Sequence, residues 1–263
     1  MNRGENFENN CYNYLKEYYH LKNSKFEHKG GMNSTESDIA VVKNGEVDFY
    51  IEVKDSQAQS GQFVVLPDEE SKTFIYSPRN HTEPNEMTDA IISYMNTDFE
   101  RFNNAGTAGE KLDLDSSIFS NWIIEHYRSR NVKYIMSQKD NFVILPIRKF
   151  AIYFDVVANY RAKKSGSRTP AEKDIPIIMD LIKNTYLSAQ FHLEGKKLFV
   201  TIYETIFQNR FIFEDYTFWL SPKSNNRYEI RKLSNTNNKT VIFSVELRED
   251  QNINDLLEFE SDL

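Results

Sequence analysis

Asp38-Ile39-Ala40-Val41-Val42-Lys43-Asn44-Gly45-Glu46-Val47-Asp48-Phe49-Tyr50-Ile51-Glu52-Val53-Lys54 is the stretch on which the reading of this chain turns. From Glu46 onward the residues alternate. Val47, Phe49, Ile51 and Val53 face one way and Glu46, Asp48, Tyr50, Glu52 and Lys54 the other, which is the period of a half-buried strand. Asn44-Gly45 joins this run to the preceding one as an antiparallel hairpin. Register then decides whether Asp38 meets Glu52. A two-residue turn pairs Lys43 with Glu46, sets Asp38 opposite Ile51, and sends the two carboxylates to opposite faces. A three-residue loop pairs Val42 with Glu46 and Asp38 with Tyr50, leaving Glu52 one diagonal step away on the same face. The second register also gathers Ile39, Val41, Val47, Phe49, Ile51 and Val53 into one apolar face and is the one expected. A bulge near Asp38 would bring the carboxylates together equally well.

Two carboxylates side by side next to a lysine suit a hard cation of the magnesium type, which takes one or two carboxylates and completes its shell with water and phosphate. The lysine can position an attacking water or stabilise charge at a phosphate. On its own a Glu-x-Lys on a strand is common, and it reads equally as an exposed ion pair. The first helix, expected over 4–20, adds a third acid. At about 100° per residue, Phe7, Cys11, Tyr12, Tyr14, Leu15, Tyr18 and Tyr19 share one arc, and Glu8 falls between Leu15 and Tyr19. A carboxylate on a buried face needs a partner or a metal. Glu8 either pairs with a buried Tyr or Lys or approaches Asp38 and Glu52.

A helix with an inward Glu, a strand bearing Asp, a hairpin, and a strand bearing Glu-x-Lys is an order that resembles the PD-(D/E)XK nuclease superfamily. The matching residues are Glu8, Asp38, and the Glu52-Val53-Lys54 triplet, within about residues 4–62. Ser37 stands where the family pattern has proline. The resemblance implies an α/β fold whose mixed central sheet is flanked by helices. It implies Mg²⁺ held by Asp38, Glu52 and the Val53 carbonyl, Lys54 in contact with water and phosphate, and Glu8 tuning the site. Restriction enzymes of type II, repair nucleases and junction resolvases all share this order.

Further along the chain, short extended pieces are expected near 63–66 and 73–76. Helices are expected near 86–103, 116–129 and 171–187, a strand at 132–136, and an antiparallel, β-rich part from Leu198 to about Leu247. Residues 142–160 fit no single pattern. Asp55-Ser56-Gln57-Ala58-Gln59-Ser60-Gly61 reads as a polar loop, in which Gln57, Gln59 and Ser60 are candidates for contacting DNA. Asn159-Tyr160-Arg161-Ala162-Lys163-Lys164-Ser165-Gly166-Ser167-Arg168 gathers donors suited to base edges and phosphates. Asn159, Arg161, Lys163, Lys164, Ser165, Ser167 and Arg168 are the candidates there. The bland reading of both segments is a solvated polar surface.

Bulk composition sets the outer bounds. A chain of 263 residues, 40% of them hydrophobic, suffices for one packed domain. A single domain is expected, with a catalytic core over about 1–140 and recognition elements over about 141–263. The one cysteine, Cys11, excludes an internal disulfide and a cysteine-based zinc site. No apolar run is long enough to cross a membrane as a helix, so a cytoplasmic, unsecreted protein is expected. The net charge of -7 argues against nonspecific coating of nucleic acid. Seven basic residues between Arg148 and Lys173 face only Asp155 and Glu172, whereas Glu249 to Leu263 holds six acids and no base; that tail is expected to be solvated.

The histidines have no metal spacing: His20, His28 and His81 read as surface or loop residues and His126 as an ordinary helix position. The leading reading is a Mg²⁺-dependent type II restriction endonuclease acting on double-stranded DNA. A homodimer is expected because two nicks in a palindrome suit two-fold symmetry. A structure-specific or repair nuclease and a non-catalytic DNA-binding protein are the alternatives.

Overall fold

Cys11, Leu15 and Tyr19, spaced four apart, form the buried stripe that begins in helix α1 (Arg3–Tyr18) and ties it to the first sheet. The structure, a computed structural model, describes residues 3–20, 22–29, 37–162, 166–214, 216–233 and 239–263. After α1 come β1 (Lys25–His28), β2 (Ile39–Lys43), β3 (Glu46–Val53), β4 (Gln57–Asp68) and β5 (Thr73–Tyr76). Helices α2 (Glu86–Asn96) and α3 (Phe99–Asn104), strand β6 (Glu110–Lys111) and helix α4 (Ser116–Arg128) follow. Then come β7 (Val132–Gln138), β8 (Phe142–Pro146), α5 (Phe150–Tyr153) and β9 (Phe154–Ala162). The chain continues through β10 (Ser167–Arg168), α6 (Ile175–Thr185), β11 (Gln190–Glu194), β12 (Lys197–Thr201), β13 (Arg210–Phe213), β14 (Tyr216–Pro222) and β15 (Arg227–Leu233). It closes with β16 (Lys239–Leu247) and α7 (Ile253–Ser261).

Two units result: Met1–Ala162 together with Lys239–Leu263, and Lys163–Asn238. An inner boundary near 140 is therefore not where the chain divides. β16 returns to pair with β9 along its whole length and with β4 on its other side, which binds both ends of the chain into the first unit.

The first unit holds a mixed sheet in the order β1-β2-β3-β7-β8, in which only β3 and β7 run parallel, and an antiparallel sheet in the order β5-β4-β16-β9-β6. Helix α4 lays Phe119, Trp122, Ile123 and Tyr127 into a core shared by both sheets. The other face of the mixed sheet packs on α1 and α7. In the second unit, Ile178, Ile182 and Tyr186 pack with Leu198, Val200, Phe218 and Ile230 of its own antiparallel sheet.

Several local expectations are corrected. The helix expected over 86–103 is two helices, because Asp98 leaves the helical conformation and caps α3 by accepting from the Arg101 amide. The helix expected from 171 begins as an α-helix at Ile175. Residues 142–160 fit no single pattern because they hold a strand, a short helix and a second strand. Gln57 to Gly61 is not a loop but the start of the long strand β4.

The acidic tail is likewise not simply solvated. Phe259 is fully buried and meets Tyr19 and Tyr134 edge-on, at ring separations of 5.4 and 5.0 Å. Buried Asp255 pairs with Lys149 and accepts from the Tyr153 hydroxyl at 2.6 Å. Glu258 pairs with Arg148, and Asp262 with Lys133 at 2.7 Å. The tail thus neutralises the start of the basic segment. Truncation of a buried aromatic costs about 3–5 kcal/mol. Phe259→Ala is therefore expected to lower the unfolding free energy in urea by about that amount, and a loss below about 1 kcal/mol would contradict a docked tail.

Candidate active site

Asn44 and Gly45 both take positive φ, 53° and 88°, so the hairpin closes through a two-residue turn and Lys43 pairs with Glu46. The expected three-residue loop is thereby corrected. What rescues the site is a bulge: Val42 pairs with Val47 but Val41 with Phe49, so Asp48 is an extra residue on β3. Beyond it Ile39 pairs with Ile51. One residue before β2, Asp38 falls opposite Glu52, on the same face. Val47, expected in the apolar face, lies on the turn side of the bulge and is exposed. Asn131, itself at positive φ after α4, holds the bulge by donating from its side chain to the Asp48 carbonyl at 3.0 Å, while its own carbonyl accepts from the Tyr50 amide at 2.9 Å.

Asp38 lies just before β2, where its backbone carbonyl accepts from the Lys29 amide and its Oδ2 from the Val53 amide, both at 2.8 Å. Glu52 is buried. Its Oε1 accepts from Lys54 Nζ at 2.6 Å, and its Oε2 is buried with no hydrogen-bond partner. The Lys54 amide donates to the Met136 carbonyl at 2.9 Å, fixing the end of β3 to β7. Burial pushes the Asp38 carboxyl up to about 7, and the Glu52 carboxylate adds to the shift. The Lys54 ammonium and the Val53 amide pull the other way, and Glu8 raises it further. Burial opposes the charge on Lys54, yet Tyr127, Glu52 and Asp38 together hold its pKa above the ordinary lysine value.

Asp38, Glu52 and Lys54 are therefore brought together. Glu8 comes close enough to act on Asp38, but its Oε2 lies 3.7 Å from His28 Nε2, and that imidazole stacks on Tyr12 at 5.6 Å. Among the described residues, no three His, Cys, Asp or Glu side chains converge to hold a metal by themselves. A site of two carboxylates completed by a backbone carbonyl, water and phosphate does not need a third. A buried, unpartnered carboxylate oxygen beside a second carboxylate also matches the need for a cation.

Other neighbours carried no recognisable pattern in the sequence. Tyr127 is buried on α4, with its hydroxyl 3.2 Å from that of fully buried Ser60 and its ring centroid 5.7 Å from Lys54 Nζ. His126, stacked on Trp122 at 4.8 Å, is pushed down to about 4 by burial and by Arg130, and is neutral at physiological pH. Of the candidate DNA contacts, Gln57 donates to Glu246 at 2.9 Å and Gln59 to Gln62 at 3.2 Å, both on the exposed side of β4. Ser60 faces the core. Asn159 and Arg161 lie on β9, the latter exposed. Ser167 accepts from Arg231 at 3.2 Å, and Arg168 is exposed. Lys163, Lys164 and Ser165 lie outside the described residues.

No protein-family model matches the chain, and no curated protein sequence does. Among solved structures, the chain is similar to HhaI endonuclease in complex with DNA. The two are 36% identical, the match covers 99% of this chain and 98% of that one, and the TM-score is 0.74.

The Asp38 shift has a consequence for stability. An unfolded Asp releases its proton near pH 3.9, whereas the folded chain keeps it to about 7. Between those values the folded state binds more protons, so this contribution is full below the unfolded pKa and is lost as pH rises through about 7. Asp38→Asn, studied in EDTA, is expected to unfold at higher denaturant than the parent at pH 8, by on the order of 1–3 kcal/mol, with the gap closing toward pH 4. Equal pH slopes for parent and variant would contradict the shift.

Proposed function

The chain belongs to the restriction-endonuclease family represented by HhaI endonuclease, and from this we propose that it hydrolyses phosphodiester bonds of double-stranded DNA at a short specific sequence, with Mg²⁺ as its cofactor. The observation that carries the reading is the pair of adjacent desolvated carboxylates, Asp38 and Glu52, with Lys54 bonded to one Glu52 oxygen while the other has no hydrogen-bond partner. Asp38, Glu52 and the Val53 carbonyl would hold the ion. When bound, Mg²⁺ lowers the pKa of water and withdraws charge from the phosphate oxygens.

The chain's own residues supply the rest. Lys54 carries a positive charge in a largely buried site, where it stabilises negative charge gathering on a phosphate more strongly than an exposed lysine would. The Val53 amide, donating to Asp38, keeps that carboxylate turned toward Glu52. Gln57 and Gln59 on β4 and Asn159 and Arg161 on β9 offer amide and guanidinium groups to DNA. With Arg168 they are the proposed contacts among the described residues. Ser60, enclosed against Tyr127, is not among them. Pairing of two copies on one duplex rests on the symmetry of a palindrome alone, and sedimentation of the chain with DNA decides it.

Digestion of an unmodified phage genome tests the reading. Discrete fragments in Mg²⁺ and none in EDTA are expected. Cutting confined to flaps or junctions would replace site-specific cleavage with a structure-specific activity, and DNA binding without hydrolysis at any metal concentration would overturn the nuclease reading. Glu52→Gln should slow cleavage by on the order of 100-fold or more with DNA affinity nearly unchanged, because it removes a metal ligand and no DNA contact.

Arg161→Ala should do the opposite. It is expected to weaken binding by roughly 1–3 kcal/mol if the side chain reads a base, or to flatten the salt dependence of affinity if it contacts a phosphate. Binding and cleavage like the parent at several salt concentrations would remove Arg161 from the interface.

A further inference from the structure

The Lys54 ammonium has three N–H groups and sits in a nearly closed site, where an unmade hydrogen bond is costly. One N–H goes to Glu52 Oε1 at 2.6 Å. Tyr127 also stands beside it, its ring centroid 5.7 Å from Nζ and its hydroxyl 3.2 Å from Ser60 Oγ. Both Tyr127 and Ser60 are buried. The direction of this chain follows from the donors present. Lysine only donates, so in a hydrogen bond between Lys54 and Tyr127 the phenol oxygen is the acceptor, which leaves the phenol's own hydrogen for Ser60.

The backbone is shaped to allow this contact. Gly61, next to Ser60, has φ +108°, and a Cβ there would meet the Trp122 ring at 2.7 Å. Only glycine lets β4 approach α4 closely enough for the Ser60 hydroxyl to reach Tyr127.

We propose that Tyr127, backed by Ser60, is a positioning residue: it takes one N–H of Lys54 while Glu52 takes another, and leaves the third aimed at the reacting phosphate. This rests on the nuclease role of Lys54. The phenol is suited to the task because burial, with Glu52 next, pushes its pKa up to about 12, so it stays a neutral hydroxyl at working pH. Nothing in the sequence marks it. Tyr127 occupies an apolar position of an amphipathic helix, and Ser60 lies in a polar run.

Tyr127→Phe keeps the packed ring and removes the hydroxyl. Single-turnover cleavage in Mg²⁺ should slow by roughly 10-fold or more. DNA affinity measured in Ca²⁺, and the melting temperature, should stay close to the parent's. Ser60→Ala should slow cleavage in the same manner, and the Tyr127→Phe/Ser60→Ala double variant should be no slower than Tyr127→Phe alone, since the two act in series through Lys54. In a Lys54→Ala background, Tyr127→Phe should change nothing.

A Tyr127→Phe enzyme that cuts at the parent's rate would overturn the proposal while leaving the nuclease reading intact. So would losses that add in the double variant or persist without Lys54, because they would point to general packing. A parent that never cuts DNA would instead sink the nuclease reading, and this positioning role with it.

Discussion

Two carboxylates forced side by side out of water repel each other and forfeit their hydration, so the arrangement persists only if a proton, an ammonium or a metal ion stands against them. Asp38 and Glu52 are in that position. Lys54 compensates part of the charge and Asp38 retains a proton to unusually high pH, yet one Glu52 oxygen still has no hydrogen-bond partner. Replacing such a cluster with apolar side chains would often make a protein more stable. A fold that builds it at the end of a central strand carries that cost, which the proposed metal-dependent chemistry would account for.

Much of the first unit serves to keep this pair in register. The Asn44-Gly45 turn alone would put the carboxylates on opposite faces, and the extra residue at Asp48 reverses that outcome. Asn131 anchors the bulge, and the pairing of Lys54 with Met136 fixes the far end of β3. Around this frame, α4 closes one side of the sheet, while α1 and the C-terminal helix close the other. The salt bridges from Asp255, Glu258 and Asp262 let an acidic helix lie against a basic edge, with Phe259 supplying the apolar contact.

The alternation from Phe49 to Val53, the existence of a hairpin at Asn44-Gly45 and the Cys11, Leu15, Tyr19 stripe of the first helix were readable as local periodicities, whereas the turn is shorter than expected and Val47 and Tyr18, expected on apolar faces, are exposed. Together those periodicities located Asp38, Glu52 and Lys54. The bulge was not readable: the sequence alternates through Asp48 without a break although Val47 and Phe49 end on opposite faces, and the bulge's anchor, Asn131, is 83 residues away. The tail read as solvated for a similar reason, since its basic partners Lys133, Arg148 and Lys149 belong to distant segments. Tyr127, Ser60 and His126 gather around Lys54 only after α4 packs on β4, so side chains that look like ordinary core or polar positions become neighbours of the site. Glu8, expected on a buried face beside a Tyr, a Lys or the carboxylate pair, is only half-buried and lies 3.7 Å from the imidazole of His28, which stands on a four-residue strand too short to signal itself.

Metal binding at the carboxylate pair is the claim on which the rest depends, and calorimetric titration of Mn²⁺ into the protein measures it without relying on cleavage. The parent should show saturable binding that is lost when Asp38 and Glu52 are both changed to Ala, with the fold retained by circular dichroism. Identical binding isotherms for the parent and that double variant would place the metal elsewhere and contradict the account.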